Sequence, residues 1–158
     1  MLVKQASGSD LQKSRAKLID DWGNPILVRG ETYDLNECTV YIAGAMDGLA
    51  ALSRRDEPIG ELVAINSYVR YRGTGTMLVN AIVSDLRRDG FETLRLTTTN
   101  DNIDALRFYQ RRGFRLKALR PCAVDKARAH KPTIPTQGEY GIPVRDELDL
   151  ILAVQERP

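Results

Sequence analysis

Two periodicities meet near the middle of the chain. From Ile59 to Ser67 the residues run IGELVAINS, apolar almost throughout and interrupted only by Glu61 and Asn66. Such a run predicts a strand covered on both faces. From Thr74 to Arg88 the spacing changes, and Met77, Leu78, Ala81, Ile82 and Leu86 fall on one face of a predicted helix that ends at Arg87, Arg88 and a capping Gly90. FETLRLTTT then alternates as a strand, NDNIDALRFYQRRGF reads as a second helix capped within Asn100 to Asn102 and stopped by Gly113, and FRLKALRP is the next strand.

The flanking segments complete the pattern. Leu2 to Ala6 predicts a short first strand, and SDLQ predicts a capping box with Ser9 as N-cap and Gln12 as its partner, opening a weakly periodic helix over Asp10 to Asp20. PILVRGETYDL, CTVYIAGAMD and GLAALSRR are rich in β-branched, aromatic and apolar residues, and Met46-Asp47-Gly48 predicts a hairpin turn between the last two. A final strand is expected over Arg145 to Val154. It follows a long loop, Pro121 to Arg145, with a short helix at Val124 to Ala129. Antiparallel strands followed by a βαβ arrangement predict an α/β (α+β) fold, a mixed twisted sheet of about six to seven strands flanked by helices.

Composition narrows the class without naming a function. With 158 residues, 42% hydrophobic and 28% charged, the chain is expected to form one domain over 1–158. A net charge of +2 is too small to signal a nucleic-acid binder. Cys38 and Cys122 stand apart without a CxxC or histidine-rich neighbourhood, so neither a disulfide framework nor a metal site is expected. No apolar run approaches the ~18 residues of a membrane span, and the first ten residues turn polar quickly, so a cytoplasmic protein is expected.

The chemistry concentrates where strand gives way to helix. RYRGTG, Arg70 to Gly75, places two glycines between a strand and a helix start. There, successive amide groups and the helix dipole can cradle an anion that a side chain would otherwise block. A tight turn without a ligand fits the same letters. No Gly-Lys-Ser/Thr follows, and Leu78 stands where the third glycine of a dinucleotide fingerprint would be. Further along, Asn102, Ala105 and Tyr109 recur at helical spacing, which suits either core packing or a functional line along one helix.

Taken together, RYRGTG and NDNIDALRFYQRRGF resemble the signature segments of the GNAT superfamily of N-acetyltransferases, closely over Glu61 to Leu116 and elsewhere in the order of elements. ELVAINS, TTTNDN and KPTIPTQGEYGIPVRDELDL are similar to a bacterial subgroup. Tyr71 departs from the glycine found in many members, while Gly73 and Gly75 are in place.

The resemblance implies a sheet splayed near its centre and an acetyl-CoA cosubstrate, with no metal. Backbone groups of Ile65, Asn66, Ser67 and Tyr68 would pair with the pantetheine arm. The pyrophosphate would rest on Arg70, Arg72, Gly73, Thr74, Gly75, Thr76 and Met77. Asn102, with Ala105 on its line, would contact the pantetheine or order the loop. Tyr109 would donate a proton or a hydrogen bond to the departing thiolate, and Glu61 would take the proton from the attacking amine. Glu61 also suits a structural ion pair, and His130 in its proline-rich loop reads as solvated.

The basic run Arg111, Arg112, Arg115, Lys117, Arg120, Lys126, Arg128 and Lys131 reads either as a solvated face or as an attractor for the 3′-phosphate or an acidic substrate. The expected activity is N-acetylation of a small-molecule or amino-acid-like amine. Acetylation of a protein lysine or N-terminus, or a non-catalytic acyl-CoA-sensing role, are the alternatives. The expected partner is the amine acceptor, with a homodimer left open and neither membrane nor nucleic acid involved.

Overall fold

The computed structural model describes residues 2–70 and 72–155. In chain order its elements are β1 (Val3–Gln5), α1 (Gly8–Trp22), β2 (Ile26–Val28), β3 (Glu31–Tyr33), β4 (Thr39–Ala43), β5 (Gly48–Asp56) and β6 (Ile59–Ser67). There follow α2 (Thr74–Arg88), β7 (Thr93–Thr99), α3 (Ile103–Arg111), β8 (Arg115–Arg120), α4 (Ala123–His130) and β9 (Glu147–Ala153). Seven of these strands belong to the main sheet, while β2 and β3 form a separate ribbon. The α/β class and the strand number agree with the expectation.

The chain divides into two compact units. The first comprises the residues up to Leu27, Thr32–Leu94 and the end of the chain from Ala153. Here β1, β4, β5 and β6 lie in that order, each antiparallel to the next. Leu18 of α1 joins Leu35, Cys38, Val40, Ile42, Leu49, Ala51 and Ala64 in one buried cluster.

Helix α2 buries Thr74, Leu78, Val79, Ile82 and Leu86, the face that its periodicity defines. Two glycines admit it to the sheet. A Cβ on Gly48 would collide with the Thr74 methyl and come within 3.1 Å of Leu78, and one on Gly60 would meet Leu86 at 2.9 Å.

The ladder between β5 and β6 pairs Ala51 with Ala64 but Leu52 with Leu62, leaving Val63 as an extra residue. This bulge changes which face the following side chains take. Gly60 meets α2, whereas Ala64 lies in the buried cluster that contains Leu18 of α1.

Two local expectations are corrected in this unit. The N-cap of α1 is Ser7, not Ser9: the Ser7 carbonyl accepts the Leu11 amide at 3.2 Å, so Ser9 already lies in the first turn and the capping box goes unused. The turn between β4 and β5 is residues 44–47, closed by Asp47 N–H to the Ala43 carbonyl at 2.9 Å, with Gly44 and Met46 at positive φ. Gly48 is not a turn residue. It pairs with Ala43 in the ladder, where α2 requires its missing side chain.

The second unit comprises Val28–Glu31 and Arg95–Leu152. Its strands lie in the order β7, β9, β8, with β8 antiparallel to β9. The segment between β8 and β9 is long but tied down. Arg128 donates to the carbonyls of Ile134 (3.0 Å), Pro135 (2.8 Å) and Val144 (2.8 Å) and pairs with Asp125 at 2.9 Å. Asn100 adds a second clamp by accepting the amides of Arg145 (2.9 Å) and Asp146 (3.0 Å) and donating to the Pro143 carbonyl (2.9 Å).

Candidate functional site

In the first unit the candidate site is the exit of β6, the loop after it and the start of α2. Glu61 sits on β6 opposite Ser53 and is buried to 1% exposure. Ile65 pairs with Ala50, Asn66 with Leu49 and Ser67 with Gly48, so all three remain in the ladder.

The side chains of Asn66 and Tyr68 turn to α1. Asn66 Nδ2 donates to Asp21 at 2.8 Å and the Tyr68 hydroxyl donates to Asp21 at 2.5 Å. Burial, then the Asp21 carboxylate, pushes the Tyr68 phenol up to about 12, while the Tyr68 hydrogen bond and then Lys17 hold Asp21 below the usual carboxylate range.

The loop then delivers α2. Arg70 and Arg72 are exposed, and Tyr71 between them lies outside the described residues. Gly73 is the N-cap, in the left-handed region with φ 68° and ψ 18°. A Cβ there would have open space, so what the position asks of its residue is the backbone conformation. The glycine N-cap has no side chain with which to cap the helix, and no acid stands in the first turn. The Thr74 side chain is buried, Gly75, Thr76 and Met77 are partly buried, and the Met77 amide makes the first intrahelical bond to the Gly73 carbonyl at 3.0 Å. A helix start of this kind, preceded by two arginines, has the charge and open amide groups that suit an anion.

In the second unit the matching segment is the end of β7 and α3. Asn102 is the N-cap, accepting the Ala105 amide at 3.2 Å and donating to Thr98 Oγ1 at 3.2 Å. Both bonds lie within the turn that opens α3. Asp101 is buried and accepts the Glu139 amide at 3.0 Å, which fastens the segment before β9.

Tyr109 is 6% exposed, with Phe108 and Phe114 edge-on at ring centroid distances of 5.0 and 5.2 Å. Burial raises its phenol pKa, so the hydroxyl keeps its proton across the physiological range. That hydroxyl has no hydrogen-bond partner among the described residues.

The basic run is not one surface. Arg120 forms a bidentate pair with Asp149, both contacts at 2.6 Å, and bonds Glu147 at 3.1 Å. Arg128 is spent on carbonyls, and Arg112 stacks 3.7 Å above the Phe108 ring. His130 is exposed in the last turn of α4. Among the described residues no three metal-binding side chains are grouped, and no helix is long and apolar enough to cross a membrane.

Two constellations escape sequence reasoning. Asp21 gathers Lys17, Asn66 and Tyr68, and its one signal is an acid in the last turn of a helix, where the dipole disfavours it. Arg29, at φ 54°, donates to Thr97 at 2.7 Å beside the buried Asp149, whose Oδ1 accepts from Thr97 at 2.6 Å. An acid inside the apolar run LDLILA is the corresponding signal there.

Comparison with known proteins gives a concordant result. Residues 11–114 match the Acetyltransferase (GNAT) family. The uncharacterized protein YxbD of Bacillus subtilis is 34% identical over 145 residues, spanning 85% of this chain and 87% of its own. A Bacillus subtilis acetyltransferase solved in complex with CoA superposes with a TM-score of 0.71 at 21% identity, covering 96% of this chain and 97% of that one. A GNAT family acetyltransferase from Elizabethkingia anophelis with acetyl-CoA bound gives 0.72 at 18% identity, covering 96% and 97%.

Proposed function

The chain belongs to the acetyltransferase (GNAT) family, and we propose that it acts as a single-domain enzyme transferring an acetyl group from acetyl-CoA to the primary amine of a small-molecule or amino-acid-like acceptor. The observation that carries this reading is the start of α2: a left-handed glycine N-cap and no acid in the first turn, preceded by Arg70 and Arg72. Similar folds that hold CoA or acetyl-CoA support it.

In the reaction the amine nitrogen forms a bond to the thioester carbonyl carbon, the carbon–sulfur bond breaks, and the proton lost by nitrogen balances the one gained by sulfur. Glu61 is the base for the amine in this account. Tyr109 donates a hydrogen bond to the developing thiolate. A phenol whose pKa lies above 10 is a weaker acid than a thiol near 8.5, so Tyr109 stabilises the leaving sulfur without surrendering its proton for good. An amide from Ile65 to Ser67 faces the oxyanion.

The tethering of residues 121–146 by Arg128, Asn100 and Asp101 supports a bounded acceptor site over an open peptide groove. A free, protonated Tyr109 hydroxyl supports turnover over mere acyl-CoA sensing. The test is a panel of amines with acetyl-CoA, following release of the CoA thiol. Turnover with small amines is expected; turnover confined to peptides, or to none of the panel, contradicts the acceptor assignment.

A further inference from the structure

The acid at the end of α1 is unexplained by the roles above. Asp21 lies in the last turn, where the carbonyl ends of the helix repel a carboxylate. It nevertheless collects three partners: Lys17 Nζ at 2.9 Å, Asn66 Nδ2 at 2.8 Å and the Tyr68 hydroxyl at 2.5 Å. Lys17 also sits 5.0 Å over the Tyr68 ring, and Asn66 Nδ2 lies 3.4 Å from the Tyr68 oxygen. The Tyr68 backbone is pinned separately, its amide donating to the Asp47 carbonyl at 2.8 Å.

Asn66 is the next-to-last residue of β6 and Tyr68 the first residue after it, so both held side chains stand just before the glycine loop. Fixing the side chains of Asn66 and Tyr68 fixes the peptide planes between them, on a strand whose other edge is already set by pairing with β5. We infer that Asp21 is a positioning residue for the cosubstrate, holding the backbone of Ile65 to Tyr68 in the orientation that pairs with the pantetheine arm. This rests on the reading of β6 as the pantetheine strand. The carboxylate acts through Asn66 and Tyr68 and touches no reacting atom.

The experiment is calorimetric titration of two ligands into wild type, Asp21→Asn, Tyr68→Phe and the double variant. Acetyl-CoA carries the pantetheine arm; adenosine 3′-phosphate 5′-diphosphate carries only the phosphate end. Asp21→Asn should weaken acetyl-CoA about tenfold and leave the truncated ligand within about twofold. Tyr68→Phe, which removes one hydroxyl and keeps the fold, should weaken acetyl-CoA about threefold. The double variant should be no weaker than Asp21→Asn alone, because the hydroxyl acts through the same carboxylate.

Unchanged acetyl-CoA affinity in Asp21→Asn, equal loss of both ligands, or multiplying effects would overturn the inference. A wild type that binds both ligands equally would instead remove the pantetheine strand itself. That result is distinguishable because it needs no variant.

Discussion

Helices α2 and α3 both begin where a strand ends, yet their first turns are closed in opposite ways. At α3 the N-cap Asn102 accepts the Ala105 amide with its side-chain Oδ1, and its neighbour Asp101 holds the Glu139 amide. At α2 the N-cap is Gly73, which has no side chain to offer, and the flanking residues Arg70 and Arg72 are cationic. A helix start closed by its own chain needs no ligand; one that begins on glycine leaves its dipole for an external anion. The same element thus serves as scaffold at α3, and in the proposed reading as binding surface at α2.

The largest expected effect is at the second start. Gly75→Glu or Gly73→Glu puts a carboxylate where the pyrophosphate should sit, and acetyl-CoA affinity should fall about a thousandfold, about 4 kcal/mol, by calorimetry. Unchanged affinity would erase the contrast.

Next is Tyr109→Phe, which deletes only the hydroxyl at the far end of α3. Once an acceptor is identified, kcat should drop about a hundredfold with acetyl-CoA affinity essentially retained. Because burial raises the phenol, no basic limb of the kcat profile below pH 10 should belong to Tyr109, and Tyr109→Phe should leave any such limb where it is.

Stability changes are smaller. Asn102→Ala should cost about 1 kcal/mol by removing the cap of α3, measured by denaturant unfolding. Gly73→Ala should cost a similar amount, about 1 kcal/mol, for a different reason, the left-handed backbone. Only Gly73→Ala should show the companion effect that acetyl-CoA adds less stability to the variant than to the wild type.

The smallest effect at neutral pH comes from the carboxylates. Tyr68 and Lys17 hold Asp21 below its ordinary 3.8, and at Asp149 hydrogen bonds from Arg120 and Thr97 overcome the upward push of burial to the same end. A carboxylate with a depressed native pKa contributes stability that is present above its unfolded value and lost as pH falls through the native one. Thermal stability should therefore be flat from pH 7 to 5 and fall below about pH 4. Asp149→Asn should flatten that acid limb.

Much of this was legible in the letters because it is local. The bounds of β6 and α2 follow from periodicity, and Asn102 and Gly90 mark helix ends through short-range backbone chemistry. The misplaced turn at Gly48 shows the limit: Asp-Gly is a turn signal, but a glycine is also what a helix packed against a strand requires. Asp21 reaches Asn66 and Tyr68 across 45 and 47 positions and Asp149 reaches Thr97 across 52, and no spacing rule reaches that far. Only the misfit of a carboxylate in a helix's last turn, or in an apolar strand, points to them.

The most direct test follows the backbone amides of residues 73–77 by heteronuclear NMR while acetyl-CoA is added. The Gly75 amide and its neighbours should shift strongly and saturably, as groups hydrogen-bonded by a phosphate do. Saturable binding that leaves the resonances of residues 73–77 in place would contradict the assignment of α2 as the pyrophosphate seat.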